Sequence, residues 1–176
     1  MPGAVFIEGD KIDLKTIEEE DLEFLRDGIN NPDIRTYLTA NRPINLSQQK
    51  DFFEEVVSSE EPITLAITDE SGIVGIISLE ESNDEIQVAK IGIWIAEDYH
   101  GKGYGTEAVE LITDYGFKEL GLHRIYAHAY EGNKASQRIW EKLGFTHEGT
   151  LREQIFRRGD FEDAEVFGIL KHEWKN

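Results

Sequence analysis

The chain contains no cysteine in its 176 residues. That excludes disulfides, thiolate metal sites and a cysteinyl acyl-enzyme. Its five histidines show no metal-ligand spacing, so no metal is expected. Bases are scarce: 18 Lys and Arg stand against 36 Asp and Glu, a formal charge of −18. A nucleic-acid partner needs a basic face to neutralise phosphates, and this composition argues against one. No apolar run is long enough to span a bilayer, and the N-terminus carries acids where a signal peptide needs bases. A cytoplasmic protein with no membrane partner is the expectation. No linker, repeat or low-complexity stretch interrupts the sequence, and its length suits a single domain over residues 1–176.

The acids are spread along the whole chain. A strong negative field would draw in a cationic substrate. Alternatively, a carboxylate-covered surface suits a cytosol of very high salt, where a screening length of about 3 Å removes such steering. The even spread favours the salt-adapted, halophile-like surface.

What the sequence does have is a glycine-punctuated turn, His100-Gly101-Lys102-Gly103-Tyr104-Gly105-Thr106, between an apolar strand pattern and a helical one. A strand turning through glycines into a helix N-terminus aims unpaired N–H groups and the positive end of the helix dipole at one point. Phosphate or pyrophosphate binds such a place, and glycine lets the anion reach the backbone. Gly103-x-Gly105-x-x-Ala108 also fits a relaxed dinucleotide fingerprint, but one strand–helix–strand unit starting near residue 90 leaves too little chain for a doubly wound sheet. No Gly-x-x-x-x-Gly-Lys-Ser/Thr phosphate loop occurs.

Around this turn the pattern alternates strands and helices. A short strand is expected over 11–16, then a helix capped by Thr16 with Glu19 completing a capping box and stopped at Asn30-Asn31-Pro32-Asp33. Asn45 or Ser47 starts another helix, and strands over 63–68 and 73–79 flank the turn Asp69-Glu70-Ser71-Gly72. A polar turn near Asn83-Asp84 leads to a central strand over 86–96. Helices over about 104–120 and 134–143 alternate with a strand over 124–130, and a hairpin folds over Arg157-Arg158-Gly159-Asp160.

The glycine turn and the segment Asn133-Lys134-Ala135-Ser136, leading to Leu143-Gly144-Phe145, together resemble the GNAT superfamily of acetyl-CoA-dependent N-acetyltransferases. The stretch 14–37 and the tail with Glu148-Gly149 and Arg152 are similar to its RimJ/RimL and spermidine acetyltransferase branch. The resemblance implies an α/β (α+β) fold, with a mixed, mostly antiparallel sheet of about six to seven strands and about four helices. It implies acetyl transfer from acetyl-CoA to a primary amine, a protein N-terminus or a polyamine, directly within a ternary complex. A homodimer is possible for such domains through exposed sheet edges.

The cofactor contacts that follow are His100, Gly101, Lys102, Gly103, Tyr104, Gly105 and Thr106 for the pyrophosphate. Ile93, Trp94 and Ile95 would pair with the pantetheine arm, where a main-chain N–H could also hold the oxyanion. Asn133 and Ser136 form a second contact, or a plain helix cap. Candidate bases for the amine are Glu80, just past an apolar strand, and His128, whose imidazole suits proton transfer near neutrality. Trp140 stands where many members place a tyrosine near the CoA sulfur, and an indole N–H donates without surrendering its proton. A thiolate of pKa about 8.5 can leave unassisted. Arg42, Asp33 and the Arg157–Asp160 hairpin sit where relatives shape acceptor pockets. Trp140, with Lys90 where relatives often carry glutamate, leaves one competing reading: a non-catalytic acyl-CoA sensor on the same fold.

Overall fold

Period-two alternation along the apolar segments builds one sheet, and period-3.6 stripes build the helices that cover it. The computed structural model describes residues 3–39, 42–83, 86–130 and 132–175, with backbone only for 81–83. The strands are β1 (Val5–Ile7), β2 (Asp13–Lys15), β3 (Ile63–Asp69), β4 (Gly72–Asn83), β5 (Val88–Ile95), β6 (Arg124–Tyr130), β7 (Thr146–Arg157) and β8 (Asp160–Leu170). The α-helices are α1 (Leu22–Asn30), α2 (Pro32–Arg35), α3 (Leu46–Phe52), α4 (Tyr104–Lys118) and α5 (Lys134–Lys142). Asp84 of the expected turn, and Glu131 after β6, lie outside the described residues.

The eight strands form one sheet in the order β1-β2-β3-β4-β5-β6-β8-β7. Every neighbouring pair is antiparallel except β5 and β6, which run parallel with α4 as the crossover. The mixed, mostly antiparallel sheet matches expectation, with eight strands instead of six or seven and five α-helices instead of four. The additional strand β1 spans three residues and its Val5 and Phe6 are about half exposed, so it carries little apolar signal. The N-terminal cap also differs from expectation. A short 3₁₀ turn over Glu19–Asp21 precedes α1, and Asp21 accepts from the Glu18 N–H at 2.9 Å. Thr16 instead ties the chain end down, its Oγ1 accepting from the Ala4 N–H at 3.0 Å. Asn45 caps α3 and Gln48 completes its capping box.

Burial follows the alternation. Ala89 and Ile91 of β5 and Ile125, Ala127 and Ala129 of β6 point into the main core under α4 and α5. The opposite face carries Lys90, Gly92 and Trp94, then Tyr126, His128 and Tyr130, and Trp94 joins a second core beneath α1. Phe24 of α1 stacks on Trp94 with ring centroids 5.7 Å apart. Helix α4 lies close to α5 and β5 because Gly105 has no side chain: a Cβ there would be 3.0 Å from Ile139 Cδ1.

Candidate active site

The parallel pair positions the site by coming apart. β5 stays paired with β4 along its length, to Gly75 opposite Ile95. Its pairing with β6 runs from Val88/Arg124 only to Ile91/Ala127. β6 meanwhile remains paired with β8 to its end, Tyr130 opposite Ala164. A gap therefore opens between the C-terminal halves of β5 and β6, and each strand leads from it to the start of a helix, α4 or α5. Open sheets bind ligands at such carboxyl ends of parallel strands.

The Ala96 N–H donates to the Val74 carbonyl at 2.8 Å, which fixes the phase of the β4–β5 ladder. Alternation then turns the main-chain groups of Trp94 toward Ile76 on β4, and those of Ile93 and Ile95 toward the gap. Of the three strand residues expected to meet a pantetheine arm, Ile93 and Ile95 offer backbone there. Trp94 contributes its side chain to the other core instead.

The glycine turn is built as a nest. Gly101 and Gly103 have φ of 76° and 87°, in the left-handed region, and Gly103 is the N-cap of α4. Tyr104, Gly105 and Thr106 form the first turn of that helix. His100 does more than its backbone suggests: its Nε2 lies 2.8 Å from the Ile95 carbonyl. A carbonyl only accepts, so Nε2 carries the hydrogen and the ring pins the turn to the end of β5. Lys102 is exposed, and its ammonium lies 4.5 Å from the centre of the Tyr99 ring.

Sequence reasoning missed the brace behind this turn. Tyr104 Oη donates to Asp69 Oδ2 at 3.0 Å, Ser71 donates to Asp69 through its N–H and hydroxyl, and Ser71 Oγ lies 3.0 Å from Tyr99 Oη. Desolvation pulls the Asp69 carboxyl upward, but the hydrogen bonds from Ser71 and Tyr104 outweigh it and hold the group below its ordinary value. The hydrogen bond to Asp69 raises the Tyr104 phenol for the same reason. The turn Asp69-Glu70-Ser71-Gly72 was legible as a hairpin turn, but nothing local linked it to Tyr104.

Replacing Gly103 by valine forces a β-branched residue into a left-handed φ, a strain of roughly 1–2 kcal/mol, and sets its Cβ 3.3 Å from Lys11 Nζ beside the turn. The expected result is at least about a tenfold rise in KM for acetyl-CoA, with a melting shift of only a few degrees at about 2–4 °C per kcal/mol. An unchanged KM would remove Gly103 from the site.

On the face beyond the gap, Glu80 pairs with Lys90 at 3.6 Å, and Ser78 Oγ lies 3.4 Å from Glu80 Oε1. His128 is half-buried, with its ring 5.6 Å from Tyr126. Burial, and secondarily the charge of Lys90, hold His128 below the usual imidazole value, so it is neutral at physiological pH. Arg124 pairs with Glu148 and lies over the Tyr126 ring. Arg157 pairs with Glu162, lies 4.8 Å over the Tyr130 ring and donates to the Thr36 carbonyl just past α2. Arg158 donates to Thr36 Oγ1 at 2.9 Å, so the hairpin tip is latched across to the α2 end. Asp33 and Arg42 are exposed; Asp33 has its N–H capped by Asn31 Oδ1.

Asn133 Oδ1 accepts from the Ser136 N–H at 3.1 Å, capping α5. Trp140 is 1% exposed, and its ring packs 5.2 Å from Phe145. It forms core behind α5 rather than a wall of the gap, and its indole N–H is committed to Ser136 Oγ at 3.0 Å. Among the described residues no group of three or more His, Cys, Asp or Glu could hold a metal ion. Nor is any helix of these residues long and apolar enough to cross a membrane.

A splayed parallel pair between an anion nest and a roofed polar face is the layout of an acyl-CoA-dependent transferase. The acetyltransferase (GNAT) domain model matches residues 11–146, and the chain belongs to that family. It is similar to the spermidine N(1)-acetyltransferase of Escherichia coli K12, 27% identical over 163 residues covering 93% of this chain and 88% of the relative. An uncharacterized N-acetyltransferase of the SPbeta prophage in Bacillus subtilis is likewise 27% identical, over 95% of this chain and 94% of that protein. The spermidine N-acetyltransferase of Vibrio cholerae, solved in complex with CoA and spermine, superposes with a TM-score of 0.87 at 26% identity. It covers 96% of this chain and 100% of that one. The protein is an N-acetyltransferase.

Proposed function

We propose that the 176 residues are one domain that moves the acetyl group of acetyl-CoA to a primary amine, directly in a ternary complex. The observation that carries this is the gap between β5 and β6, with the Ile93 main chain and the Ile95 N–H turned into it on one side and His128 on the other. The nest at Gly101–Thr106 would hold the pyrophosphate, with His100 fixing the turn. The arm would extend along Ile93 and Ile95, whose main chain can polarise the thioester carbonyl and hold the oxyanion. The amine would enter from the face of Lys90, Tyr126 and Tyr130 and pass its proton to His128, which burial keeps neutral and able to accept it. Glu80, the other candidate, spends its carboxylate on Lys90. The thiolate would leave unassisted, since Trp140 offers no proton to the gap.

The charge of that face bears on the acceptor. A polyamine calls for carboxylates free to meet several ammonium groups. Here Glu80, Glu148 and Glu162 are each paired with a base, Lys90, Arg124 and Arg157. This favours an acceptor with a single amine, such as a peptide N-terminus, over the spermidine named for the relatives. The acids spread over the remaining surface fit a protein working at high salt. Thiol release from acetyl-CoA, measured against a panel of free-N-terminal peptides and polyamines at low and molar salt, tests both points. Peptide-selective turnover is expected; polyamine-selective turnover would reverse the acceptor assignment. The competing reading, a sensor, would show binding with no release from any amine.

A further inference from the structure

We propose that Trp140 is a positioning residue for the cofactor site, forcing the Ser136 hydroxyl to donate outward to an oxygen of the CoA arm. Ser136 lies in the first turn of α5, half-buried, and Trp140 is one helical turn further on. The indole N–H donates to Ser136 Oγ at 3.0 Å, and it can do nothing else, having no acceptor lone pair to offer. The serine hydroxyl therefore cannot donate to Trp140. A serine within a helix otherwise turns its hydrogen back to the carbonyl four residues earlier. That carbonyl belongs to Gly132; it accepts from the Lys134 N–H at 2.9 Å, and the Ser136 hydroxyl makes no hydrogen bond to it.

Asn133 adds a second constraint. Its side-chain oxygen is taken by the Ser136 N–H, which leaves its amide NH₂ as a donor for another partner. Among the described residues neither the Ser136 hydroxyl hydrogen nor the Asn133 NH₂ has an acceptor. Two donors are thus left at the start of α5, the helix that follows β6 out of the gap. A hydrogen-bond-accepting oxygen, a pantetheine carbonyl or a pyrophosphate oxygen, is the ligand atom that fits them. A phenol at position 140 would both donate and accept, leaving the serine free to turn inward. The indole removes that choice, and its burial against Phe145 fixes its own position.

The inference rests on the acetyl-CoA reading of the site, and the test separates the two. KM and kcat would be measured for S136A, W140F and the double variant, with calorimetric titration of CoA alongside. Each single substitution should raise KM for acetyl-CoA and the CoA dissociation constant about fivefold, the scale of one hydrogen bond, with kcat within about twofold. The double variant should be no worse than S136A, because Trp140 acts only through Ser136. Multiplying effects, or a W140F protein with lowered melting temperature and unchanged CoA affinity, would overturn the proposal by making Trp140 simple packing. Should W140F fail to fold, S136A still decides: unchanged CoA affinity overturns it. A wild-type protein that binds CoA but releases no thiol would instead sink the proposed function, while the titrations still read the Trp140–Ser136 pair.

Discussion

Replacing His128 by glutamine is expected to lower kcat by about a hundredfold or more, the usual scale for loss of a positioned general base. KM for acetyl-CoA should hardly move, because His128 lies across the gap from the nest. The pH profile makes the claim specific. A base must be unprotonated, so kcat should fall on the acid side with an apparent pKa below about 6.5, the ordinary imidazole value. Burial and then Lys90 set that depression, and Lys90→Gln removes the second cause. The acid limb of K90Q should therefore shift to higher pH, while H128Q should lose the limb altogether. A full-activity H128Q protein, or an acid limb indifferent to K90Q, would return the role to Glu80 or to water. Stability follows the same sign. The folded state binds the His128 proton less readily than the unfolded chain, so the contribution is present above about pH 6.5 and is lost as pH falls below it.

The second large effect is structural. Gly28 is buried in α1 directly over Trp94, and a Cβ there would lie 2.4 Å from Trp94 Cη2, deep inside van der Waals contact. Neither partner can give way easily, since the Trp94 ring is stacked on Phe24 and its strand is paired through Ile76. Gly28→Val should cost about 1–3 kcal/mol as overpacking. At about 2–4 °C per kcal/mol, melting should fall by several degrees. Lifting α1 also shifts the α1–α2 segment, to which Arg157 and Arg158 latch the hairpin at Thr36. KM for the amine should therefore rise more than KM for acetyl-CoA, whose proposed contacts lie on α4, α5 and β5. Equal losses in both would mean that the acceptor roof is not anchored through α1.

Most elements were legible because their signals are local. The alternation of apolar residues marked β6 at its observed bounds, Asn133 marked where α5 begins, and of the two caps offered for α3, Asn45 and Ser47, the structure uses Asn45. What escaped depends on distant pairing. Nothing in residues 86–96 says that β5 leaves β6 after Ile91, because that depends on where Ala127 stops being its partner. The phase that faces Ile93 and Ile95 into the gap, and Trp94 away from it, is set by Val74 on β4 and Ala96 just past β5. His100 reaches back five residues to Ile95, and Tyr104 reaches Asp69 across 35 positions. The cap at Thr16 failed for a related reason: Ala4, from the new first strand's approach, claims its hydroxyl.

The most direct test of direct transfer in the gap is a matrix of initial rates of thiol release, with acetyl-CoA and a peptide amine varied together. Direct transfer predicts double-reciprocal lines that intersect, since both substrates must be present before the acetyl group moves. Parallel lines would mean an acetylated enzyme intermediate and contradict it, as would acetyl-CoA binding with no thiol released at any amine concentration.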